Sequence, residues 1–194
     1  MDRKQIIQSL EPLHTIEDWS HQKRDDGLSN AAVLIPLVER ECWHILLTRR
    51  TDHLHHHASQ VSFPGGRADA VDISPLDTAL RETFEEVGIE KGLIELVGTI
   101  EPYLTVTDFS VVPVVGFLDP SFELNIDEFE VAQVFEAPLS IVMDQSCYKR
   151  KEIFWKGENR FYWELMYEGF QIWGATAAML YAFAERLNET IATQ

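Results

Sequence analysis

Three glutamates within five residues are the side chains of this sequence best suited to chemistry. Glu82, Glu85 and Glu86 lie three and four residues apart, so a helix would carry them along one flank. Like charges this close repel one another, and a divalent cation relieves the repulsion because hard ions such as Mg²⁺ take oxygen ligands. The spacing alone leaves a second interpretation open, which is a solvated acidic helix face without bound metal.

The residues around the glutamates predict where this helix begins and ends. A turn that reads Phe-Pro-Gly-Gly-Arg occupies residues 63–67, and Ser74 followed by Pro75 is typical of a helix start. Gly88 is typical of the position just after a helix end, where positive φ is needed. The pattern therefore predicts a helix over residues 75–87.

The predicted helix has an apolar side and a charged side. Leu80, Phe84 and Val87 have the spacing of an apolar stripe, which we expect to pack on the core. Arg81 follows Asp77 by four residues and precedes Glu85 by four. Ion pairs at this spacing would hold one carboxylate in a fixed orientation.

Cationic residues are concentrated just before and within the glycine turn. Arg49, Arg50 and Arg67 flank the histidine-rich segment 53–57 in an otherwise acidic chain. Guanidinium groups bind phosphate oxygens well, so this patch predicts a binding site for phosphorylated ligands. The histidines have the chemistry of a Zn²⁺ site, but no cysteines lie at zinc-site spacing, and we interpret them as a polar loop.

The string from Gly66 to Ile89 resembles the Nudix box, which is a glycine, an acidic residue and then Arg-Glu-x-x-Glu-Glu-x-Gly. The matching positions are Gly66, Arg81, Glu82, Glu85, Glu86, Gly88 and Ile89. Asp72 stands where the general box has Glu, with one extra residue before the arginine. That insertion, together with residues 46–66, resembles the coenzyme A pyrophosphatase branch of the family.

The resemblance implies a fold and agrees with the order of apolar runs. It implies an α/β fold, a Nudix-type α/β/α sandwich with a mixed β-sheet, as one domain over residues 1–194. Residues 1–30 would be an N-terminal extension packed on it, with a polar loop over 18–30. Besides the helix above, we predict helices at 3–12 and 175–189, a short helical turn within 127–134, and strands at 31–38, 42–48, 93–100, 109–118, 147–155 and 160–167.

The resemblance also implies a cofactor and its ligands. The cofactor would be Mg²⁺ or Mn²⁺, and the implied metal ligands are Glu82, Glu85, Glu86 and the backbone carbonyl of Gly66. The residues expected to bind substrate are Arg49, Arg50, Gly65, Gly66 and Arg67. Catalytic roles are expected for Arg81, which would orient the helix carboxylates, and for Glu85 or Glu130, one of which would take a proton from water.

The implied activity is hydrolysis of a pyrophosphate bond in a nucleoside diphosphate derivative. Coenzyme A or an acyl-CoA is the favoured substrate, giving adenosine 3′,5′-bisphosphate and 4′-phosphopantetheine. The branch usually has Ser where Thr51 stands, Arg where His55 stands and Gly where Ser59 and Asp108 stand. Three alternatives therefore stay open. They are a Nudix hydrolase of ADP-ribose, a nucleotide sugar or a dinucleoside polyphosphate, a nucleotide-binding Nudix module without catalysis, and a partner-binding protein that uses the aromatic hairpin at 147–167.

Composition limits the partners and the compartment. The net charge of −16 argues against binding to nucleic acid or to an anionic membrane, and no apolar run is as long as a membrane span. The first residues lack the apolar region of a secretory signal, and Cys42 and Cys147 do not make a disulfide framework. We expect a cytoplasmic protein whose partner is a small nucleotide. The aromatic residues of the hairpin at 147–167 have one face that would suit a homodimer contact.

Overall fold

Strands and helices are interleaved along the chain. The computed structural model describes residues 1–19, 27–54, 57–155 and 157–193. The helices are α1 (Arg3–Gln8), α2 (Pro75–Val87), α3 (Leu139–Met143) and α4 (Gly174–Ala192). The strands are β1 (Ser29–Glu39), β2 (Trp43–Arg50), β3 (Val61–Ser62), β4 (Gly65–Arg67), β5 (Ile94–Thr99), β6 (Tyr103–Leu104), β7 (Phe109–Leu118), β8 (Val131–Pro138), β9 (Tyr148–Trp155), β10 (Glu158–Tyr167) and β11 (Phe170–Trp173).

The central sheet is mixed, as the resemblance implied. Its main order is β3-β2-β1-β7-β5, with β4 on β1, β6 on β7 and β8 on β2. Strands β1 and β7 run parallel, from the Ser29–Phe109 pair to the Val38–Leu118 pair, while the other pairs are antiparallel. A second sheet, β11-β10-β9, is antiparallel throughout.

Helices cover both faces of the central sheet. On β1, Leu34 packs in the cluster that contains Ala79 of α2, whereas its neighbour Ile35 packs in the cluster that contains Phe183 of α4. This alternation follows from the two-residue period of a strand. The arrangement is the α/β/α sandwich that the sequence predicted.

The N-terminal helix is shorter than the sequence predicts. It ends at Gln8 rather than near residue 12, because the chain then becomes extended and Glu11 pairs with Thr99 at the end of β5. Leu10 is buried there, and its side chain occupies the space that a Cβ on Gly98 would need. The segment before β1 therefore packs directly on the sheet. Most of the polar loop predicted at 18–30 falls on residues 20–26, outside the described residues.

The helical turn predicted within 127–134 is wrong for most of that segment. Residues 131–138 form β8, which pairs antiparallel with β2 from His44 to Arg50. The apolar residues that looked helical belong to this strand. Every second residue of an antiparallel strand exchanges backbone hydrogen bonds with a given neighbour, which here is β2. The chain turns just before, at residues 128–130.

The second hairpin, β9–β10, packs one aromatic face on α4. The rings of Trp163 and Tyr181 stack with their centroids 4.3 Å apart, while Phe154 and Phe161, farther along the same face of the hairpin, are exposed. A homodimer contact through this hairpin stays a prediction. None of the helices in the described part of the chain is long and apolar enough to cross a membrane.

Candidate active site

Helix α2 has the two ends that its sequence predicts. The Ser74 hydroxyl accepts a hydrogen bond from the Asp77 N–H at 3.3 Å, and the Asp77 carboxylate accepts one from the Ser74 N–H at 3.0 Å. This reciprocal capping satisfies N–H groups that lack helical partners. At the other end Gly88 has a φ of 74°, in the left-handed region, and donates to the Phe84 carbonyl. Because Asp77 caps the helix, it does not pair with Arg81 as the spacing had suggested.

The face of α2 that packs on the sheet differs from the predicted apolar stripe. Phe84 is exposed and Leu80 is only half-buried. The buried positions are Pro75, Thr78, Ala79, Thr83, Glu86 and Val87. Small side chains allow close approach to the sheet, and the Thr83 hydroxyl is satisfied by the Ala79 carbonyl at 2.6 Å. One consequence is that Glu86 lies on the buried side of the helix.

Glu86 is a buried carboxylate with only partial compensation. It is 4% exposed; one oxygen accepts from the Gly65 N–H at 3.3 Å and the other from Arg50 at 3.4 Å. Burial raises the pKa of Glu86 to about 8, and the charges of Glu82 and Glu130 act in the same direction. The ionised form is therefore in an environment where a further cation would stabilise it.

Glu82 lies directly against the glycine turn. A Cβ added to Gly66 would come within 2.6 Å of Cδ and 2.7 Å of both carboxylate oxygens of Glu82. Strand β4 is held in this position by antiparallel pairing of Gly66 with Ala32 on β1. Burial raises the pKa of Glu82, and nearby carboxylates add to the effect, although Arg81 opposes it. Glu82, the first box glutamate, thus shares the environment of the buried Glu86.

Arg81 joins α2 to the segment before it. Its guanidinium lies 2.8 Å from Glu85 and 2.9 Å from Glu82, and it makes two bonds to Asp72 at 3.0 and 2.9 Å. It also donates to the Arg67 carbonyl at 3.1 Å. With these partners Arg81 orients carboxylates on the flank of the helix, which fits the role expected for it.

Two residues that the sequence analysis did not single out support this arrangement. The Trp19 indole N–H donates to the Thr78 hydroxyl at 2.9 Å, and that hydroxyl donates to Asp72 at 2.9 Å. Burial would raise the pKa of Asp72, but the bonds from Arg81, the Asp69 N–H and Thr78 lower it. No pattern in the sequence marks the contact between Trp19 and Thr78, because it depends on how the N-terminal segment packs on α2.

The loop that carries Glu130 is tied to the ends of both α2 and β2. The backbone N–H groups of Asn125 and Asp127 donate to carbonyls in the last turn of α2, at 2.9 and 3.0 Å. The Thr51 N–H donates to the Glu130 carbonyl at 3.0 Å, and its hydroxyl donates to the Phe129 carbonyl at 2.8 Å. These bonds place Glu130 close to Glu86, the buried member of the carboxylate cluster, although the two residues are far apart in the sequence.

The three arginines of the basic patch do not lie together. Arg50 reaches Glu86 at 3.4 Å and Glu130 at 3.2 Å. Arg49 is exposed and lies two residues after Leu47, so it shares the α4 side of the sheet, opposite the side on which α2 lies. Arg67 is exposed at the end of β4. Arg50 thus lies among the carboxylates, whereas Arg49 and Arg67 lie on the surface.

The histidine segment adds little to this site. His55 and His56 lie outside the described residues. The His57 ring contacts the Gln60 side chain at 2.8 Å, and the His53 ring lies 5.0 Å from that of Phe129. The interpretation of this segment as a polar loop near the site therefore stays a prediction.

The carboxylates are not assembled around a single point. Over residues 1–19, 27–54, 57–155 and 157–193, no three His, Cys, Asp or Glu side chains are grouped closely enough to hold a metal ion. Arg81 draws Glu85 outward, and Arg50 pairs with the buried glutamate. The donor set still fits a hard divalent cation, because it consists of oxygens and two of its carboxylates have raised pKa values.

Ser59 lies in a backbone conformation that favours glycine. Its φ is 59°, and its N–H donates to the Thr51 carbonyl at 3.2 Å. A non-glycine residue in this region destabilises the folded state by about 1–2 kcal/mol. Glycine removes this strain, but its greater freedom in the unfolded state offsets part of the gain. We expect Ser59→Gly to raise the free energy of unfolding by about 0.5–1 kcal/mol in urea titrations. Ala58→Gly, at a neighbour without positive φ, should lower it; a loss of stability in Ser59→Gly would contradict the strain.

A surface cavity lies elsewhere on the molecule. It has a volume of about 370 Å³ and is lined by the C-terminal ends of α1 and α4, including Arg186, and by Glu101 after β5. Its arginine is already paired with Glu11 and Glu101. Because the buried carboxylate and the glycine turn are on the α2 side, we place the chemistry there.

The described fold also occurs in solved structures of other proteins. A Caenorhabditis elegans Ap4A hydrolase, solved as a binary complex, superposes with a TM-score of 0.56 at 15% identity, covering 86% of this chain and all (100%) of that chain. The MutT protein from Methanosarcina mazei Go1 gives 0.55 at 16% identity, over 86% and 97% of the two chains. Identities this low show a shared fold alone.

Sequence comparison gives the family. The sequence model of the NUDIX domain matches residues 28–142, more than half of the chain. A protein of Enterobacter sp. (strain 638), named uncharacterized Nudix hydrolase NudL, is 43% identical over 158 residues, which cover 81% of this chain and 82% of that protein. The Escherichia coli (strain K12 / DH10B) protein of the same name is 38% identical over 182 residues, 94% and 91% of the two chains. The protein is therefore a hydrolase of the mixed-sheet α/β class. It belongs to the Nudix family, and the predicted family and enzyme class are confirmed.

Proposed function

We propose that this Nudix hydrolase uses Mg²⁺ or Mn²⁺ to cleave the pyrophosphate bond of coenzyme A or an acyl-CoA. The observation that carries the metal-dependent part is the buried Glu86, held by the Gly65 N–H and Arg50 beside the Glu82 carboxylate. Burying an ionised carboxylate is unfavourable unless a cation compensates it. A divalent cation taken up with the substrate would supply that compensation.

The proposed metal ligands are those of the box. They are Glu82, Glu85, Glu86 and the backbone carbonyl of Gly66. The Glu85 side chain is 55% exposed, so it has room to turn away from Arg81 toward a shared ion. When bound, the divalent cation neutralises pyrophosphate oxygens and lowers the pKa of a coordinated water.

A carboxylate takes the proton from the attacking water. We propose Glu130 or Glu85 for this role, since both side chains are partly exposed, at 42% and 55%. The water oxygen forms a bond to phosphorus, the bridging P–O bond breaks, and the departing phosphate leaves with the electron pair. Glu130 has the more rigid support, because its loop is bonded to the ends of α2 and β2.

The choice of coenzyme A depends on the resemblance of residues 46–66 to that branch of the family. Exposed Arg49 and Arg67, with Arg50 between the carboxylates, would contact phosphate groups, including the 3′-phosphate that distinguishes coenzyme A from most nucleotides. Gly65 and Gly66 would let the backbone of β4 come close to the ligand. The products would be adenosine 3′,5′-bisphosphate and 4′-phosphopantetheine.

A Nudix hydrolase of another nucleotide is the second candidate. Ser59 and Asp108 both have positive φ, at 59° and 64°, in positions where the branch usually has Gly. These loops therefore carry side chains that a coenzyme A enzyme usually lacks, and ADP-ribose, nucleotide sugars and dinucleoside polyphosphates enter the test for that reason. A module without catalysis is disfavoured because all three box glutamates are present.

The substrate assay compares coenzyme A with dephospho-coenzyme A, ADP-ribose, a nucleotide sugar and a dinucleoside polyphosphate, each with Mg²⁺ or Mn²⁺. We expect coenzyme A to give the bisphosphate product by mass spectrometry. We expect kcat/KM to fall at least about tenfold for the dephospho form, because a charge-assisted hydrogen bond contributes about 1.5–3 kcal/mol. Arg67→Met should reduce this preference, whereas Arg40→Met, at an arginine that pairs with Glu136, should keep it. Turnover of another nucleotide alone would discard coenzyme A and keep the metal chemistry.

The compartment we propose is the cytoplasm. Cys42 and Cys147 are both free thiols. Reduced cysteines are usual in the cytoplasm, where coenzyme A and other nucleotides are available as small-molecule partners.

A further inference from the structure

Arg50 lies between two carboxylates rather than at the surface. One of its terminal nitrogens is 3.4 Å from a Glu86 oxygen and the other is 3.2 Å from a Glu130 oxygen. The Arg50 side chain is 23% exposed, and that of Glu86 is only 5% exposed. A single guanidinium therefore bridges the end of α2 and the loop after it.

The backbone of Arg50 fixes where this guanidinium starts. Its N–H donates to the Gln60 carbonyl at 2.9 Å, and β2 pairs with β8 at Arg50 and Val131. The position at the end of β2 is thus set by the sheet, while the long side chain reaches across to α2. Such a side chain changes its direction without any change in the fold.

The contacts of Arg50 are longer than those of Arg81, the arginine of α2. Arg81 binds its carboxylate partners at 2.8–3.0 Å, including a two-pronged contact with Asp72. Arg50 makes one contact with each of two carboxylates, at 3.4 and 3.2 Å. Longer, single contacts to a charged group are weaker than short two-pronged ones. The guanidinium of Arg50 is therefore the one that an incoming cation can replace.

We propose that Arg50 is the internal counter-ion of Glu86 and Glu130 in the metal-free enzyme, and that a divalent cation displaces it on binding. This inference rests on the metal site of the proposed function and adds a step that precedes any contact of Arg50 with substrate. The guanidinium keeps a buried carboxylate compensated while no metal is present. Displacement of the Arg50 guanidinium lowers the apparent affinity for the metal, because two ion pairs are broken for each ion bound.

The test is a titration of Mn²⁺ without substrate, in which electron paramagnetic resonance measures free Mn²⁺. Wild type is compared with Arg50→Met, which removes the charge and keeps the length, and with Arg50→Lys, which keeps a point charge. Arg40→Met is the matched control, because Arg40 pairs with Glu136 at 2.7 Å, away from α2. We expect Arg50→Met to lower the dissociation constant of Mn²⁺ roughly tenfold, Arg50→Lys to lower it less, and Arg40→Met to leave it unchanged.

Thermal unfolding without metal gives the second readout. Arg50→Met should melt at a lower temperature than wild type, because Glu86 loses its cation, and saturating Mn²⁺ should raise its melting temperature by more than that of wild type. If Arg50→Met does not fold, the intermediate affinity of Arg50→Lys decides. Unchanged or weaker Mn²⁺ binding in the variants, or no binding by the wild type, would overturn the proposal. Because no substrate is used, failure to hydrolyse coenzyme A is a separate result.

Discussion

Glu86→Gln should lower kcat by roughly a thousandfold, because losing one anionic ligand of the proposed metal site would forfeit several kcal/mol of transition-state stabilisation. Glu86 is the box residue with the most restricted position, fixed by the Gly65 N–H on one oxygen and Arg50 on the other. Glutamine retains an oxygen for one of these donors and has the same shape, but it carries no charge for a divalent cation.

The same substitution should leave the metal-free protein folded. Burial raises the pKa of Glu86 to about 8, which shows that its ionised form is unfavourable inside the fold. A neutral amide of equal size avoids that unfavourable charge, although Arg50 loses part of its compensation in exchange. We therefore expect a melting temperature close to that of wild type.

The measurement is steady-state hydrolysis of the best substrate at saturating Mn²⁺, with circular dichroism to follow unfolding. Glu90→Gln is the matched control, because Glu90 is exposed just beyond the end of α2. That control should keep full activity. A fully active Glu86→Gln enzyme would show that the site is elsewhere, and an unfolded one would show that the carboxylate is needed for stability.

The limits of α2 were predictable because they depend on local chemistry. Ser74, Pro75 and Gly88 act within one turn of the helix ends, and the observed helix spans the predicted residues 75–87. The predicted strand over 109–118 and the hairpin at 147–167 were likewise confirmed, since a short apolar run and turn residues are also local signals.

The orientation of α2 was not predictable in the same way. Phe84 looked like a core residue by type, yet it is exposed, while the charged Glu86 is buried. Which face packs depends on how close the helix comes to the sheet, and that distance is set by the small side chains of Ala79 and Thr83. The hydrophobic pattern of a helix gives no information about the distance between that helix and the sheet.

The partners of the site residues depend even more on tertiary structure. Arg50 looked like a phosphate-binding residue by its place in a basic segment, but the end of β2 points it at α2 and the Glu130 loop. The bond from Trp19 to Thr78 links segments that are 59 residues apart. Neither contact follows from spacing along the chain, because each requires the sheet order first.

Gly66→Ala should lower kcat/KM by on the order of a hundredfold, the effect of moving a catalytic group by about 1 Å. A methyl group at residue 66 would lie 2.6–2.7 Å from the carboxylate atoms of Glu82, which is closer than real contacts allow. These atoms are the far end of a flexible side chain, so the carboxylate moves and the backbone does not. We therefore expect weaker Mn²⁺ binding with a melting temperature near that of wild type.

Two other glycines separate displacement of Glu82 from damage to the turn. Gly92→Ala places its methyl group in open space, so it should keep both activity and stability. Gly65→Ala would bring a methyl group within 2.5 Å of the backbone of β1 at a φ of 151°, so it should unfold the protein more easily. Because Gly65 and Gly66 are adjacent, a general weakness of the turn would make both alanine variants unstable. Loss of activity with retained stability in Gly66→Ala alone would show that the Glu82 carboxylate requires the glycine. Normal activity in that variant would exclude Glu82 from the proposed metal site.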